Sequence, residues 1–176
     1  MELITSVNLV FAILILIIVL GTFYFTFLKS LAQQCSSKWD ILNDLLHLRA
    51  DKIPFLINLI AKFGIQLDEN QLENLLKFKS RSWEINSSGK EKNDIEKQGS
   101  NDLNSFLEKI KNSQEIKGNY RLIALIEEFK KLEEDIKITT LDYNKKTNRF
   151  NSFSKLWIFG KLIPLLSFKA FFQLEI

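Results

Sequence analysis

Hydrophobic residues fill the first part of the chain without interruption. Residues 7–28, VNLVFAILILIIVLGTFYFTFL, contain no charged side chain. As a helix they reach about 33 Å, enough to cross the hydrocarbon core of a bilayer. A cleaved signal peptide would have a basic start and a shorter apolar core that ends in small residues. Here Glu2 stands at the start and the run ends in aromatic residues, so residues 1–28 are predicted to be an uncleaved transmembrane anchor.

The charges on either side of this run predict its orientation. Lys29 and Lys38 follow the run, whereas Glu2 precedes it. Because basic residues favour the cytoplasmic side of a membrane, we expect the N-terminus outside and the bulk of the chain in the cytoplasm. The predicted location is the cell (inner, cytoplasmic) membrane, crossed once.

Beyond the anchor, apolar residues recur every three or four positions, the pattern of a helix with one buried face. This first seam comprises Leu28, Leu31, Cys35, Trp39, Leu42, Leu46, Arg49, Ile53, Leu56, Ile60 and Phe63. Gly64 follows directly, as expected just past a helix end. We therefore expect the anchor to continue into the first helix of the bundle, with Cys35 packed as a small hydrophobe. Acylation near the membrane surface is the alternative for Cys35.

Three further segments follow. Asp68 is a candidate N-cap for a second helix, in which Leu72, Leu75, Leu76, Lys79 and Trp83 share one side. Residues 86–101 are polar and are predicted to form a mobile loop between helices. A shorter helix is expected next, with its apolar face formed by Leu103, Phe106, Leu107 and Ile110.

The last long helix has the most regular pattern. Its apolar seam from Asn119 onward approaches a heptad repeat and comprises Leu122, Leu125, Phe129, Leu132, Ile136, Thr139, Tyr143, Thr147 and Phe150. Two rods of about 50 Å with shorter helices between them bury these faces best as an antiparallel pair. The predicted fold is all-α, a transmembrane helix followed by an antiparallel up-and-down bundle of about four helices over residues 29–152.

Arg49 and Pro54 interrupt the first seam. Pro54 either kinks the helix or marks a restart with Asp51 as N-cap, because proline lacks an N–H and crowds the preceding turn. Arg49 either snorkels past the edge of the core or pairs with an acid of the facing helix. Glu133, Glu134 and Asp135 are the candidate partners.

The C-terminal segment, residues 153–176, combines aromatic residues with lysines. Gly160 and Pro164 interrupt it, which disfavours a second spanning helix. One interpretation is that the segment folds back and caps the bundle. The other is that it lies in the membrane interface, with lysines towards lipid phosphates. The candidate membrane-interface residues are Lys155, Trp157, Phe159, Lys161, Phe168, Lys169, Phe171 and Phe172.

The charge pattern and residue inventory narrow the function. The net charge of +3 comes from 24 basic and 21 acidic residues that are mixed along the chain, without the basic stripe expected of a nucleic-acid-binding protein. A single Cys and a single His offer no disulfide framework and no metal-ligand spacing. His47, between two leucines, is interpreted as a partly buried structural residue. We expect no cofactor, no metal and no enzymatic activity.

Two stretches of the sequence resemble the LemA family of membrane proteins. WDILNDLLHLRADKIPFL, residues 39–56, is similar to the family's tryptophan, basic residue and Asp-x-Ile-Pro-x-Leu pattern, and LDYNKKTNRFNSF to its tyrosine–asparagine step. SFKAFFQLE, residues 167–175, is similar to its terminal pattern. The signature positions are Trp39, Arg49, Asp51, Ile53, Pro54, Tyr143, Asn144, Phe150 and Asn151. The polar stripe of Asn144, Asn148 and Asn151 either makes hydrogen bonds across helices or faces solvent.

The resemblance implies a membrane-anchored helical bundle with no established enzymatic activity. We therefore expect a noncatalytic scaffold or adaptor that acts through a protein partner or as a homo-oligomer. The alternative is a membrane-surface module that binds or shapes lipid through its C-terminal segment.

Overall fold

The chain folds into four α-helices and contains no strand among the residues described. The computed structural model describes residues 2–65, 68–85, 89–113, 116, 119–155 and 171–175, with side chains from residue 7 onward. The helices are α1 (Glu2–Lys62), α2 (Glu69–Glu84), α3 (Lys90–Lys111) and α4 (Tyr120–Ser154). The all-α bundle behind a long apolar N-terminal helix, predicted from the apolar periodicity, is confirmed.

Helix α1 runs through Pro54 without a break over 61 residues. The predicted restart at Asp51 is therefore wrong. The side chain of Asp51 instead accepts a hydrogen bond from Nε1 of Trp83 at 3.0 Å. Ile53 and Leu56, on either side of the proline, are fully buried. The burial of these two side chains stabilises the helical turn in which the proline removes one backbone hydrogen bond.

The helix ends follow the local chemistry of the sequence. Gly64 has φ +70°, and its N–H and that of Ile65 bond to the carbonyls of Ala61 and Ile60, which closes the last turn of α1. At the start of α2, Asp68 accepts a hydrogen bond from the N–H of Asn70 at 3.0 Å. At the start of α4, Asn119 accepts one from the N–H of Leu122 at 3.2 Å. The predicted stop at Gly64 and the N-cap at Asp68 are confirmed.

Within the described part of the chain, α1 is the one helix long and apolar enough to cross a membrane. Residues 7–20 of this helix are all exposed. The apolar start of α1 therefore projects from the bundle, and none of the other described residues buries it.

Helices α1 and α4 form an antiparallel pair. Towards the C-terminus of α1, Gln34 contacts Lys146, Lys38 pairs with Asp142 at 2.7 Å, and Lys52 pairs with Glu128 at 2.7 Å. The partners on α4 thus follow in descending order of residue number. Helix α2 packs on α1 and α3, and α3 packs on α4. The two short helices accompany only the half of the pair farther from the apolar start of α1, which we call the distal half.

The distal half has a four-helix core, and the proximal half is thinner. The distal core gathers Ile53, Leu56, Ile60, Leu75, Phe78, Leu103, Phe106, Ile110, Leu122 and Phe129. In the proximal half, α1 and α4 pack as two helices, and residues 171–175 lie against them as the third element. Leu174 is buried there with Trp39, Leu42 and Tyr143. Residues 171–175 thus cover a part of the α1–α4 pair that α2 and α3 do not cover.

Two predictions about the middle of the chain are wrong. Residues 90–101, predicted as part of a mobile loop over 86–101, form the first half of α3. Apart from Ile95 and Gly99, their buried residues are polar, so apolar periodicity alone indicates the helix only weakly. In α2 the buried residues are Leu75, Phe78 and Ser82, whereas Leu76 and Trp83 are exposed, so the predicted face is rotated.

The face of α4 matches the prediction at most positions. Leu122, Leu125, Phe129, Leu132, Ile136, Tyr143, Thr147 and Phe150 are buried. Thr139 is only partly covered, and its neighbour Thr140 takes the inward position. Phe63, at the end of the seam of α1, is exposed.

Candidate functional site

Arg49 lies at the centre of a charged cluster inside the bundle. The exposed fraction of its side chain is 0%, so the snorkelling interpretation is wrong. One guanidinium nitrogen pairs with Glu133 of α4 at 2.7 Å and also donates to the hydroxyl of Ser100. The other pairs with Glu96 of α3. Glu133 was one of the three acids predicted as partner, whereas Glu96 was not foreseen.

A second base extends the cluster towards α2. Lys92 pairs with Glu96 at 3.0 Å and donates to the carbonyl of Ser82 at 2.5 Å. The hydroxyl of Ser82 donates to Glu96 at 2.7 Å. Burial lowers the pKa of Lys92, and the charge of Glu96 opposes that shift. Two buried bases thus face two carboxylates, and the cluster is electrically neutral.

One flat face of the Arg49 guanidinium is covered by an aromatic ring. The ring of Phe78 lies under its guanidinium, 5.1 Å from carbon to ring centre. Phe78 in turn rests on Gly99, where a Cβ would overlap the ring. The cluster therefore fixes α1 against α2, α3 and α4 in a single register. Arg49, Lys92 and Glu96 are fully buried, and the side chain of Glu133 is 17% exposed.

The stretch around Asp51 is tied to α2 through Trp83. The ring of His47 stacks on Trp83 with the ring centres 4.1 Å apart, and the indole N–H reaches Asp51. His47 is half-buried, as predicted for a structural residue. Pro54 is half-buried as well, one residue after the fully buried Ile53. The signature stretch of α1 is therefore a packing surface for α2 and α3.

Two asparagines of α4 hold the end of the chain by its backbone. Asn144 donates to the carbonyl of Leu174 at 2.5 Å and accepts from its N–H at 2.9 Å. Asn151 donates to the carbonyl of Phe171 at 2.8 Å and accepts from its N–H at 3.3 Å. We call these two pairs of hydrogen bonds the asparagine clip. Asn148, between the two asparagines, is exposed.

Neighbouring residues complete the clip. The hydroxyl of Tyr143 donates to the carbonyl of Phe172 at 2.9 Å, and Asn93 of α3 accepts from the N–H of Glu175 at 2.5 Å. Trp39 packs beside Tyr143 with ring centres 5.6 Å apart. Each of these hydrogen bonds is to a backbone atom of residues 171–175. The hydrogen bonding therefore does not depend on which side chains the extended segment carries.

Aromatic residues gather where the apolar run of α1 ends. Phe27 packs edge-on against Phe153 with ring centres 5.1 Å apart, and Phe150 packs likewise against Phe171 at 5.2 Å. Cys35 is buried in the same cluster, as predicted for a small hydrophobe, and burial raises the pKa of its thiol. This cluster joins the end of α4 to the base of the apolar run.

The candidate membrane-interface residues lie only partly within the described chain. Lys155 and Phe172 are exposed, and Phe171 is half-buried. Trp157, Phe159, Lys161, Phe168 and Lys169 fall in residues 156–170, outside the described residues. Phe153 and Phe171, which precede and follow that segment, both belong to the aromatic cluster.

The outer face of the α1–α4 pair is open and apolar. On α1, Ile41, Leu48 and Phe55 follow one another at intervals of seven residues, with exposed fractions of 48%, 46% and 59%. On α4, Ile138 is 59% exposed. A groove of about 840 Å³ lies between the distal parts of the two helices. Its lining includes Phe55, Leu59, Lys62, Arg121, Ala124, Leu125 and Lys131.

The structure divides the predicted signature residues into two groups. Arg49 and Ile53 are buried in the distal half, with the exposed Asp51 and the half-buried Pro54 on the same stretch of α1. Around the end of the chain lie Trp39, Tyr143, Asn144, Phe150 and Asn151. The sequence prediction missed Ser82, Lys92, Asn93, Glu96 and Ser100. The signal was present: positions 92, 96, 99, 103, 106 and 110 keep the helical rhythm of the apolar residues that follow.

The chain was compared with known protein families, curated proteins and solved structures. The family model described as LemA family matches residues 38–167. That range includes Arg49, the polar half of α3 and both asparagines of the clip. No curated protein and no solved structure matches the chain.

Proposed function

Since the chain belongs to the LemA family, we propose that it is a noncatalytic, membrane-anchored scaffold or adaptor that acts through protein–protein contacts or self-association. One observation carries the proposal. Helix α1 passes from the apolar run into the bundle without a break and there bears the exposed residues Ile41, Leu48 and Phe55. An unbroken helix transmits the position of the anchor to that surface, so the face stands at a fixed height and orientation above a bilayer.

Anchorage in the cell membrane is part of the proposal, with the N-terminus outside and the bundle in the cytoplasm. The uncovered apolar run of α1 supports the anchorage, and Lys29 and Lys38 support the orientation. The heights of the exposed α1 residues above the end of the apolar run follow from the helical rise of about 1.5 Å per residue. Ile41 lies about 20 Å beyond Leu28, and Phe55 about 40 Å beyond it.

A noncatalytic role fits the way in which the polar residues are used. Arg49 and Lys92 are balanced by Glu96 and Glu133 in the bundle, and His47 is stacked on Trp83. A general acid or base needs access to a substrate, and Arg49, Lys92 and Glu96 are fully buried. Their positions support a role in fixing the helices.

Photocrosslinking in the native membrane tests the scaffold function. A photoreactive amino acid replaces Phe55 or Ile138 in the full chain, and the matched control carries it at Ser80, an exposed residue of α2. We expect discrete protein adducts from Phe55 or Ile138 well above those from Ser80. Adducts no stronger than the control at both positions would overturn the proposal.

A lipid-binding function of the C-terminal segment is the second candidate. Its support is that Phe153 and Phe171, which precede and follow residues 156–170, both belong to the aromatic cluster at the base of the apolar run. Residues 156–170, LWIFGKLIPLLSFKA, combine apolar and aromatic residues with two lysines, a composition suited to a bilayer interface. Both flanks are thus placed near the level at which a membrane would end.

The lipid-binding function has its own test. A photoreactive amino acid at Trp157 or Phe168 in the full chain, in vesicles with anionic lipid, should give adducts to lipid. Adducts to the bundle of the same chain, without lipid adducts, would contradict this second function.

A further inference from the structure

We propose that the outer face of the α1–α4 pair binds a second copy of this chain, with the two α1 helices parallel. The inference rests on the scaffold function proposed above and names its partner. The face is centred on Ile41, Leu48 and Phe55, whose seven-residue spacing is the repeat by which two parallel helices pack along a common line. Because the spacing is constant, each residue meets its own counterpart at the same height.

The arrangement of the described residues in the proximal half supports the same surface. There α1 and α4 are covered on one face by residues 171–175, while Ile41 and Ile138 are exposed. A two-helix layer buries its second apolar face when it packs on another such layer, as in a four-helix bundle. A second copy brings a layer of the same dimensions.

Two residues of opposite charge lie at a similar height on the two edges of the stripe. On the edge away from α4, α1 carries the exposed acid Asp51. On the other edge, α4 carries the exposed base Lys131 beside Glu128, and the ion pair of Lys52 with Glu128 shows that Asp51 and Lys131 are within about one helical turn of each other in height. A two-fold axis parallel to the helices sets Asp51 of each copy against Lys131 of the other. An antiparallel pair would set like edges together.

The height of the face excludes the bilayer as its occupant. Ile41 stands about 20 Å beyond the end of the apolar run, and Phe55 about 40 Å beyond it. Two copies anchored in one membrane hold their α1 helices in the same direction and at the same level. Anchoring both copies in one membrane raises the effective concentration of one face for the other. A contact of three or four apolar side chains is then sufficient to hold the two copies together.

Cysteine crosslinking of the full chain in its membrane tests the inference. The natural Cys35 is buried, so the unmodified chain serves as background. Leu48→Cys places a thiol at the centre of the stripe. The matched control is Ser80→Cys, on another face but at a similar height, because Trp83 in the next turn of α2 reaches Asp51. We expect at least about tenfold more crosslinked dimer from Leu48→Cys than from the control, as aligned sites with high effective concentration require.

A mixed experiment tests the direction and the register. Differently tagged copies of Asp51→Cys and Lys131→Cys are produced in the same cells, and a short bismaleimide is added. Crosslinks between the two tags are expected. A second set carries Leu48→Glu as well, an exposed substitution that leaves the bundle folded, and should lose most of the crosslinked product.

Each opposite result overturns the inference in its own way. Equal crosslinking from Leu48→Cys and Ser80→Cys would show that a second copy does not occupy the face. Leu48→Cys dimers without any Asp51–Lys131 product would show that the two copies are not arranged in parallel. Adducts of Leu48→Cys with a different protein also overturn the inference, but they leave the scaffold function standing, so the two proposals fail separately.

Discussion

Asn144 and Leu174 are joined by two hydrogen bonds, in which the side-chain amide of the asparagine bonds both the carbonyl and the N–H of the leucine. The same arrangement joins Asn151 to Phe171. The asparagines are seven residues apart on a helix, and their partners are three residues apart on an extended segment. Seven helical and three extended residues both advance about 10 Å, so the two spacings match. The clip therefore fixes the register of the end of the chain against α4.

Replacing Asn144 by alanine should release the end of the chain. The variant loses two hydrogen bonds to backbone groups, which corresponds to about 1–3 kcal/mol. We expect faster amide exchange at residues 172–175, measured by hydrogen–deuterium exchange of the full chain in mild detergent. Asn148→Ala, a change at an exposed residue in the same stripe, is the control and should leave the exchange unchanged. Equal exchange in the two variants would show that the asparagine pairing does not hold the segment.

Replacing Arg49 by methionine should strongly destabilise the bundle. The substitution leaves the buried carboxylate of Glu96 with only Lys92 for a cation and deprives Glu133 of its partner, at a cost of about 3–5 kcal/mol. Lys52→Met breaks an ion pair with the exposed Glu128 and should cost less than about 1 kcal/mol. Denaturant unfolding followed by circular dichroism compares them. Similar midpoints for both variants would contradict the structural role of the cluster.

Gly99→Ala should destabilise the packing between α2 and α3. The added methyl group overlaps the ring of Phe78, and such overpacking costs about 1–3 kcal/mol, more than the helix gains from alanine. Adding Phe78→Leu to this variant should restore part of the loss. Gly89→Ala is the control because a Cβ there meets no atom within 4 Å. Thermal unfolding that ranks Gly99→Ala level with Gly89→Ala would refute the close contact.

The stability of the bundle should depend on pH through Lys92. Burial lowers the pKa of this amine in the folded state below its ordinary value of 10.5. Between the folded and the unfolded pKa, the unfolded chain binds more protons, so folding becomes more favourable as pH rises towards 10.5. We expect the free energy of unfolding of the natural chain, minus that of Lys92→Met, to increase from pH 7 to pH 10. A constant or decreasing difference would contradict the direction of the shift.

The long helices could be predicted from the sequence because their buried faces are apolar. Leu28 to Ile60 on α1 and Leu122 to Phe150 on α4 repeat at helical intervals, and that repeat reports burial directly. The end of α1 at Gly64 and the start of α2 at Asp68 follow from backbone and side-chain chemistry within a few residues. Local patterns of this kind need no knowledge of the partner helix.

The polar half of α3 and the asparagine clip could not be predicted in the same way. Lys92 and Glu96 face inward because Arg49, more than forty residues earlier in the chain, supplies the opposite charge. Asn144 bonds backbone atoms thirty residues later, and backbone atoms leave no trace in a side-chain pattern. Arg49 on an otherwise apolar seam did indicate that a carboxylate must be buried nearby, but its position depends on how the helices pack.

Native mass spectrometry tests the central proposal, a scaffold that acts through protein contacts, most directly. The full chain is extracted from its own membrane into polymer-bounded lipid discs, and the masses of the complexes are recorded. We expect species heavier than the 20.6 kDa chain by a whole second copy or by another protein. Leu48→Glu should reduce a species of twice that mass. A spectrum that contains the 20.6 kDa chain with lipid alone would contradict the proposal.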